Sequence, residues 1–179
     1  HCNPLCFFST SAPDSDNGCE GFKGAMNRYL LQAGQAVADV FINTIKFSLF
    51  TIRACALDDL EKMNISVLQA YTLYRTYQEW YENFDGMSAM EISYSVSLPE
   101  FDGIIHGTPV TTNERDDAGR QLTQVIPERM KMLIRKAKKL AVLKRKRNYD
   151  KKIAIVFHNN PPTNSNIGSA CAIDSIERI

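Results

Sequence analysis

The sequence predicts an α/β fold with a mainly parallel sheet flanked by helices. Three observations carry this. Apolar, β-branched runs of strand length recur at residues 4–9, 37–49 and 65–71. Helix-patterned stretches stand between them at 23–35 and 57–63, the alternation that builds βαβ units. A long amphipathic stretch follows from Pro127. In sheets of this kind ligands bind beyond the carboxyl ends of the strands. Those ends fall near residues 9–17, 43–48 and 69–72.

Residues 4–9 (PLCFFS) read as a buried strand entering a Ser/Asp/Gly-rich loop. In 23–35, Met26, Tyr29, Leu30 and Ala33 keep helical spacing. Residues 37–49 (VADVFINTIKFSL) form a second strand and its exit. The helix at 57–63 carries Asp58 and Asp59 in its first turn, where the helix dipole favours acids. Residues 65–71 (ISVLQAY) are a third strand. Tyr71, Tyr74, Tyr77, Trp80, Tyr81 and Phe84 then follow three- and four-residue spacing, which competes with a strand ending at Tyr71. This ring series reads as a core or interface stripe, the alternative being a stacking wall for a flat ligand. A turn of helix is expected at 88–93, and an extended segment broken at Pro99 and Gly103 at 96–105 (VSLPEFDGII). A polar loop is expected at 117–121. Pro127 takes the favoured first position of a helix reaching about Lys146, with Met130, Leu133, Ile134, Ala137, Leu140 and Ala141 as its apolar stripe. Residues 152–158 (KIAIVFH) read as another buried strand, 159–168 as a loop, and Ser169 as the opening of a helix. This places a domain at 1–147 and the start of a second α/β unit at 148–179.

The chain has 179 residues, 44% hydrophobic and 23% charged, enough for a core without covalent staples. It opens on His1 rather than Met, and reads as an excised or processed piece. No apolar run approaches the ~20 residues of a membrane helix, and no signal-peptide pattern is present. Five scattered cysteines without a CxxC pair read as free thiols of a cytoplasmic protein rather than a zinc site. The net charge is +1, but twelve Lys/Arg fall between Arg129 and Lys152. The rest keeps nine of the 21 basic and nineteen of the 20 acidic residues. The basic residues interleave with an apolar helical stripe and not with aromatics, so they read as a solvated helix face, not a nucleic-acid surface.

Two segments carry residue types suited to chemistry. In LPEFDGIIH, Glu100 and Asp102 sit beside a glycine, with His106 four residues beyond Asp102. An extended backbone would put both carboxylates on one face. Carboxylates accept protons or pass on a hard metal ion, and histidine adds a borderline ligand. The competing account is a turn with solvated acids. In FHNNPPTNSNIGS, a strand end carrying His158 and Asn159 leads into a Pro-Pro loop and a Gly before a helix, which would offer N–H groups to an anion. It lacks the spacing of a P-loop or dinucleotide fingerprint. A structurally satisfied histidine is the competing account there.

The blocks VFINTIKFSL, ISVLQAYTLYRT, SVSLPEFDG and the run from PERMKMLIRKAKK to NNPPTNSNIGSACAID, taken together and in this order, resemble the large subunit of cobaltochelatase and its relative, the porphyrin-binding large subunit of magnesium chelatase. The likeness covers about residues 35–179. It rests on Leu98-Pro99-Glu100-Phe101-Asp102-Gly103, the basic helix from Arg129 to Arg147, and Pro161-Pro162 with Gly168-Ser169-Ala170. The resemblance implies a tetrapyrrole substrate, Co²⁺ or Mg²⁺ as the inserted metal, and a cytoplasmic complex. In that complex an AAA+ ATPase subunit and a second small subunit use ATP and Mg²⁺. It makes Glu100 the carboxylate of the insertion site and His158 its catalytic neighbour. Asp102 and Asn159 would be substrate-binding by the same match; the residue types themselves add His106 and Trp80 as substrate-binding, and Glu100 and His106 as metal contacts. Many relatives carry an acid followed by Pro shortly after the Asp-Gly. Here the run is Ile104-Ile105-His106-Gly107-Thr108-Pro109, so that acid is absent and His106 is additional. The metal therefore stays open, as do two alternatives: a non-catalytic tetrapyrrole-binding module and a haem-iron-dechelating relative.

Overall fold

The structure, a computed structural model, describes residues 3–7, 21–48, 61–104 and 106–154, with short stretches at 169–170 and 173–174. The chain divides into two compact units, His1–Arg145 and Lys146–Ile179.

The first unit is a mixed α/β layer structure. Helix α1 (Gly21–Ala25) widens into a π-helical turn (Met26–Leu30) and runs into a small hairpin of β1 (Leu31–Gln32) and β2 (Gln35–Ala36). The main sheet has four strands in the order β3-β4-β5-β6. They are β3 (Val40–Asn43), β4 (Ser66–Thr72), β5 (Thr108–Arg115) and β6 (Gln121–Val125). β3 pairs with β4 and β4 with β5 in parallel, while β5 and β6 form an antiparallel hairpin. Helix α2 (Tyr77–Glu82) follows β4. Helix α3 (Ala89–Ile92) continues through a π-helical turn (Ser93–Ser97) into α4 (Leu98–Phe101). Helix α5 (Pro127–Arg145) ends the unit.

The side-chain period of two along each strand sorts the core into two faces. Val40, Ile42, Leu68, Ala70 and Val110 pack under α5, which lowers Met130, Leu133, Ala137 and Leu140 onto them. Phe41 and Val67 point the other way, into Phe22, Met26, Leu30 and Met63. β4 is buried along most of its length because both faces are covered. Arg145 closes the α5 end with a paired guanidinium–carboxylate contact to Asp39, just before β3, with Nε at 3.0 Å from Oδ1.

Several sequence expectations give way to tertiary context. Asn3–Phe7 has no regular structure where a strand was expected; residues 8 and 9 of that run lie outside the described residues, as do 57–60 of the expected helix at 57–63. The helix expected over 23–35 stops at Leu30, and Ala33 takes φ +50° in the hairpin turn. Tyr77–Glu82 is a helix with a full capping box, in which Thr76 Oγ1 accepts from Glu79 N–H and Glu79 accepts from Thr76 N–H. The β5–β6 hairpin went unrecognised because TPVTTNER and QLTQV are mostly polar. β5 nevertheless alternates, burying Thr108, Val110 and Thr112. The polar segment at 117–121 falls at its tip, where the Asp116 carboxylate accepts from Ala118 and Arg120 N–H and Gly119 takes φ +75°.

In the second unit a 3₁₀ turn (Asn148–Asp150) is closed by Arg147, whose Nε lies 3.1 Å from Asp150 Oδ2. Residues 152–154 are not in a strand, and 155–168 lie outside the described residues. The helix expected from Ser169 is replaced by an antiparallel pair, β7 (Ser169–Ala170) with β8 (Ile173–Asp174). The pairing of Ala170 with Ile173 turns the chain back on itself within two residues, which a helix starting at Ser169 cannot do.

Among the described residues, Thr108 Oγ1 and Ser95 Oγ are buried without a hydrogen-bond partner. Thr108 is fully buried opposite Ala70. Thr108→Val keeps the β-branched shape and removes the stranded hydroxyl. It is expected to stabilise the protein by about 1 kcal/mol, seen as a raised midpoint in urea unfolding. A lower midpoint would mean that the hydroxyl has a partner in solution.

Candidate functional site

LPEFDG is a capped helix end and not the extended segment read from its Pro and Gly. Pro99 stands in the first turn of α4, immediately after the π-helical turn. That wider turn relieves both costs of an internal proline, the missing N–H and the clash with the carbonyl four residues back. At the other end, Gly103 takes φ +78°, its N–H donates to Glu100 O at 2.9 Å, and Ile104 N–H donates to Pro99 O at 3.1 Å. This is a Schellman closure, with buried Ile104 as its apolar seal. The helical turn separates the two carboxylates that an extended chain would have put on one face. Glu100 is exposed, and among the described residues its carboxylate has no hydrogen-bond or ion-pair partner. Asp102 is 6% exposed and accepts from Ser48 Oγ at 2.6 Å.

Ser48 belongs to the exit of β3, so this bond ties the LPEFDG turn to the carboxyl edge of the parallel sheet. Three neighbours in that exit each engage a different element. Lys46 Nζ lies 3.7 Å from the centre of the Tyr74 ring, beyond β4. Phe47 packs on Tyr94 of the π-helical turn, with centroids 4.6 Å apart, and its N–H donates to Tyr94 O at 2.8 Å. Ser48 reaches Asp102. Phe47 takes φ +68°, a conformation that costs a bulky L-residue on the order of 1–2 kcal/mol. Its contacts with Tyr94 hold it there.

Below this loop the sheet edge is stiffened by buried amides. Asn43 Nδ2 donates to Gln69 Oε1 at 2.6 Å, Gln69 Nε2 donates to Ile45 O at 2.9 Å, and Ile45 N–H returns to Asn43 Oδ1 at 3.1 Å. Glu91 braces the opposite side. It is 3% exposed and accepts from Tyr74 N–H at 2.7 Å and Ser88 N–H at 2.9 Å, with Arg75 at 4.0 Å. Burial pushes the Glu91 carboxyl up, but these N–H bonds, the Ser88 hydroxyl and Arg75 together hold it below the ordinary range. Burial also lowers the Lys46 ammonium below the ordinary lysine range, with the Glu91 charge opposing.

His106 is exposed, between the helix cap and β5. Trp80 is half-buried, tilted against Tyr77 at 5.7 Å with the Arg129 guanidinium 5.6 Å from its ring centre, beside Tyr71, Leu73 and Ile126. His158 and Asn159 lie outside the described residues. Among the described residues no three His, Cys, Asp or Glu side chains cluster as a ready metal cage. An apolar cavity of about 540 Å³ flanks β3, with Phe7, Phe22, Phe41 and Ile45 among its walls. Sequence reasoning missed Lys46, Phe47, Tyr94 and Glu91. Only Glu91 left a signal, the Ser88-x-x-Glu91 capping box.

This is an α/β unit in which the LPEFDG turn meets the exit of β3 at the carboxyl edge of parallel strands. The CobN/Magnesium Chelatase family profile matches residues 1–179, and the chain belongs to that family. An uncharacterized protein of Methanocaldococcus jannaschii is 30% identical over 98% of this chain and 15% of its own length. The chloroplastic magnesium-chelatase subunit ChlH of Oryza sativa is 27% identical over 88% of this chain and 12% of its own. Among solved structures, the catalytic subunit of cobaltochelatase from Mycobacterium tuberculosis superposes with a TM-score of 0.64 at 27% identity, covering 88% of this chain and 14% of that one. The chain thus spans a small part of the relatives it matches.

Proposed function

We propose that this chain is a segment of the tetrapyrrole-binding catalytic subunit of an ATP-dependent metal chelatase, inserting cobalt into a corrinoid precursor or magnesium into a protoporphyrin. The observation that carries the reading is the family match along the whole chain, joined to the placement of LPEFDG beside the carboxyl edge of the sheet. Metal insertion removes two pyrrole N–H protons as the ion enters, so it needs a free carboxylate near the macrocycle. Glu100 suits that role: it stands exposed on a rigid, capped helix end. Asp102, bonded to Ser48, positions the turn. His106 and Glu100 are the contacts for the incoming Co²⁺ or Mg²⁺ and Trp80 a wall for the ring; the family resemblance adds His158 as a catalytic and Asn159 as a substrate-binding residue. ATP hydrolysis with Mg²⁺ falls to an AAA+ subunit and a second small subunit in a cytoplasmic complex.

The test is a fluorescence-quenching titration of the complete subunit with a metal-free porphyrin and with a cobyrinic-type corrinoid. Saturable micromolar binding of one of them is expected. A folded subunit that binds neither would remove the reading.

A further inference from the structure

The β3 exit carries a partly buried cation. Lys46 is half-buried, yet among the described residues its ammonium has no hydrogen-bond acceptor and no ion-pair partner. The Tyr74 ring lies against it, 3.7 Å from its nitrogen. A buried ammonium normally finds an oxygen, because its three donors lose water on burial. The buried carboxylate Glu91, whose charge acts on Lys46, is already committed to the Tyr74 and Ser88 N–H groups. The next residue, Phe47, keeps 45% of its surface exposed in a strained backbone conformation, and Tyr74 is equally exposed. Backbone strain and partly desolvated charge cluster at ligand sites. The following residue, Ser48, is bonded to Asp102, which lies on the same turn as Glu100.

We infer that Lys46, lying over the exposed ring of Tyr74, is the anchoring cation for a peripheral carboxylate of a planar, ring-shaped ligand. The ligand class rests on the tetrapyrrole reading above. The assignment of its carboxylate to this lysine is independent of which metal is inserted. The ammonium supplies the charge-assisted hydrogen bond, and the aromatic faces flank the ligand's apolar edge. Through Ser48 and Asp102 the anchor is coupled to the helix end that presents Glu100.

The experiment measures fluorescence quenching of a metal-free porphyrin dicarboxylic acid and of its uncharged dimethyl ester on the complete subunit, wild type, Lys46→Met and Lys46→Arg. Methionine keeps an unbranched apolar chain over Tyr74 and removes the charge. Wild type is expected to prefer the acid. Lys46→Met is expected to weaken acid binding roughly ten- to a hundredfold, the range of one charged hydrogen bond, while leaving the ester unchanged. Lys46→Arg should retain most of the preference. Equal weakening of acid and ester would assign Lys46 to packing and overturn the inference. So would an unchanged acid affinity, or a wild type that binds acid and ester alike. A wild type that binds neither would instead remove the tetrapyrrole reading, and this inference with it.

Discussion

Glu100→Gln in the complete subunit is expected to lower the rate of metal insertion by about 10²- to 10⁴-fold, the usual contribution of a positioned proton-transfer group, with tetrapyrrole affinity and unfolding midpoint unchanged. The expected split between rate and affinity follows from position. Glu100 is exposed at the last turn of α4, and its side chain has no partner among the described residues, so the fold does not depend on its charge. The turn itself is closed by the backbone of Pro99, Glu100, Gly103 and Ile104. Glutamine keeps the size and the helix propensity while losing the capacity to take a pyrrole proton or to neutralise an approaching ion. The reaction is followed by the absorbance change on metal insertion with the partner subunits and ATP present. A variant that inserts metal at the wild-type rate would remove Glu100 from the chemistry. A parallel loss of binding would make it a binding group.

Glu91→Ala is expected to produce the largest loss of stability, about 3 kcal/mol, because it strands two N–H groups and leaves Arg75 without its carboxylate. Tyr74 and Ser88 lie at opposite ends of the α2 segment, so Glu91 holds together the exit of β4 and the start of α3. Glu91→Gln retains one acceptor oxygen and should lose less. The effect depends on pH with a definite sign. The folded carboxyl titrates below the ordinary glutamate range. Its contribution is therefore complete above the unfolded value of about 4.3 and is lost as pH falls through the lower folded value. Urea unfolding at neutral pH should show the full gap between wild type and Glu91→Ala, and the gap should close on the acid side of pH 4.3. A gap that stays constant into acid would mean that shape, not charge, is what Glu91 contributes.

The same site shows where reading the sequence stops. Residues 65–71 and 127–146 were legible: an apolar, β-branched run marks β4, where four consecutive positions are buried, and a helical period marks the long helix, whose Met130, Leu133, Ala137 and Leu140 face the sheet while Ile134 of the expected stripe stays exposed. LPEFDG was legible as a motif and misread as a shape. Proline and glycine are breakers on local grounds, but a preceding π-helical turn admits Pro99 into a helix, and Gly103 serves as its cap. Lys46 left no trace, since a lysine within VFINTIKFSL reads as the solvent side of a strand end. Its desolvation comes from segments brought over it by the fold.

By itself the sequence determined the α/β class, the parallel core strands, the long terminal helix of the first unit and the motif set that places the chain in its family. These rest on side-chain period and residue type, which act within a few residues of one another. Only the tertiary structure decided that Glu100 faces solvent while Asp102 turns inward to Ser48, that TPVTTNER and QLTQV pair as strands, and that Lys46, Phe47 and Glu91 meet at one edge. Those outcomes depend on contacts between residues far apart in sequence, such as Ser48 and Asp102 or Tyr74 and Glu91, where burial and hydrogen-bond satisfaction outweigh local preference.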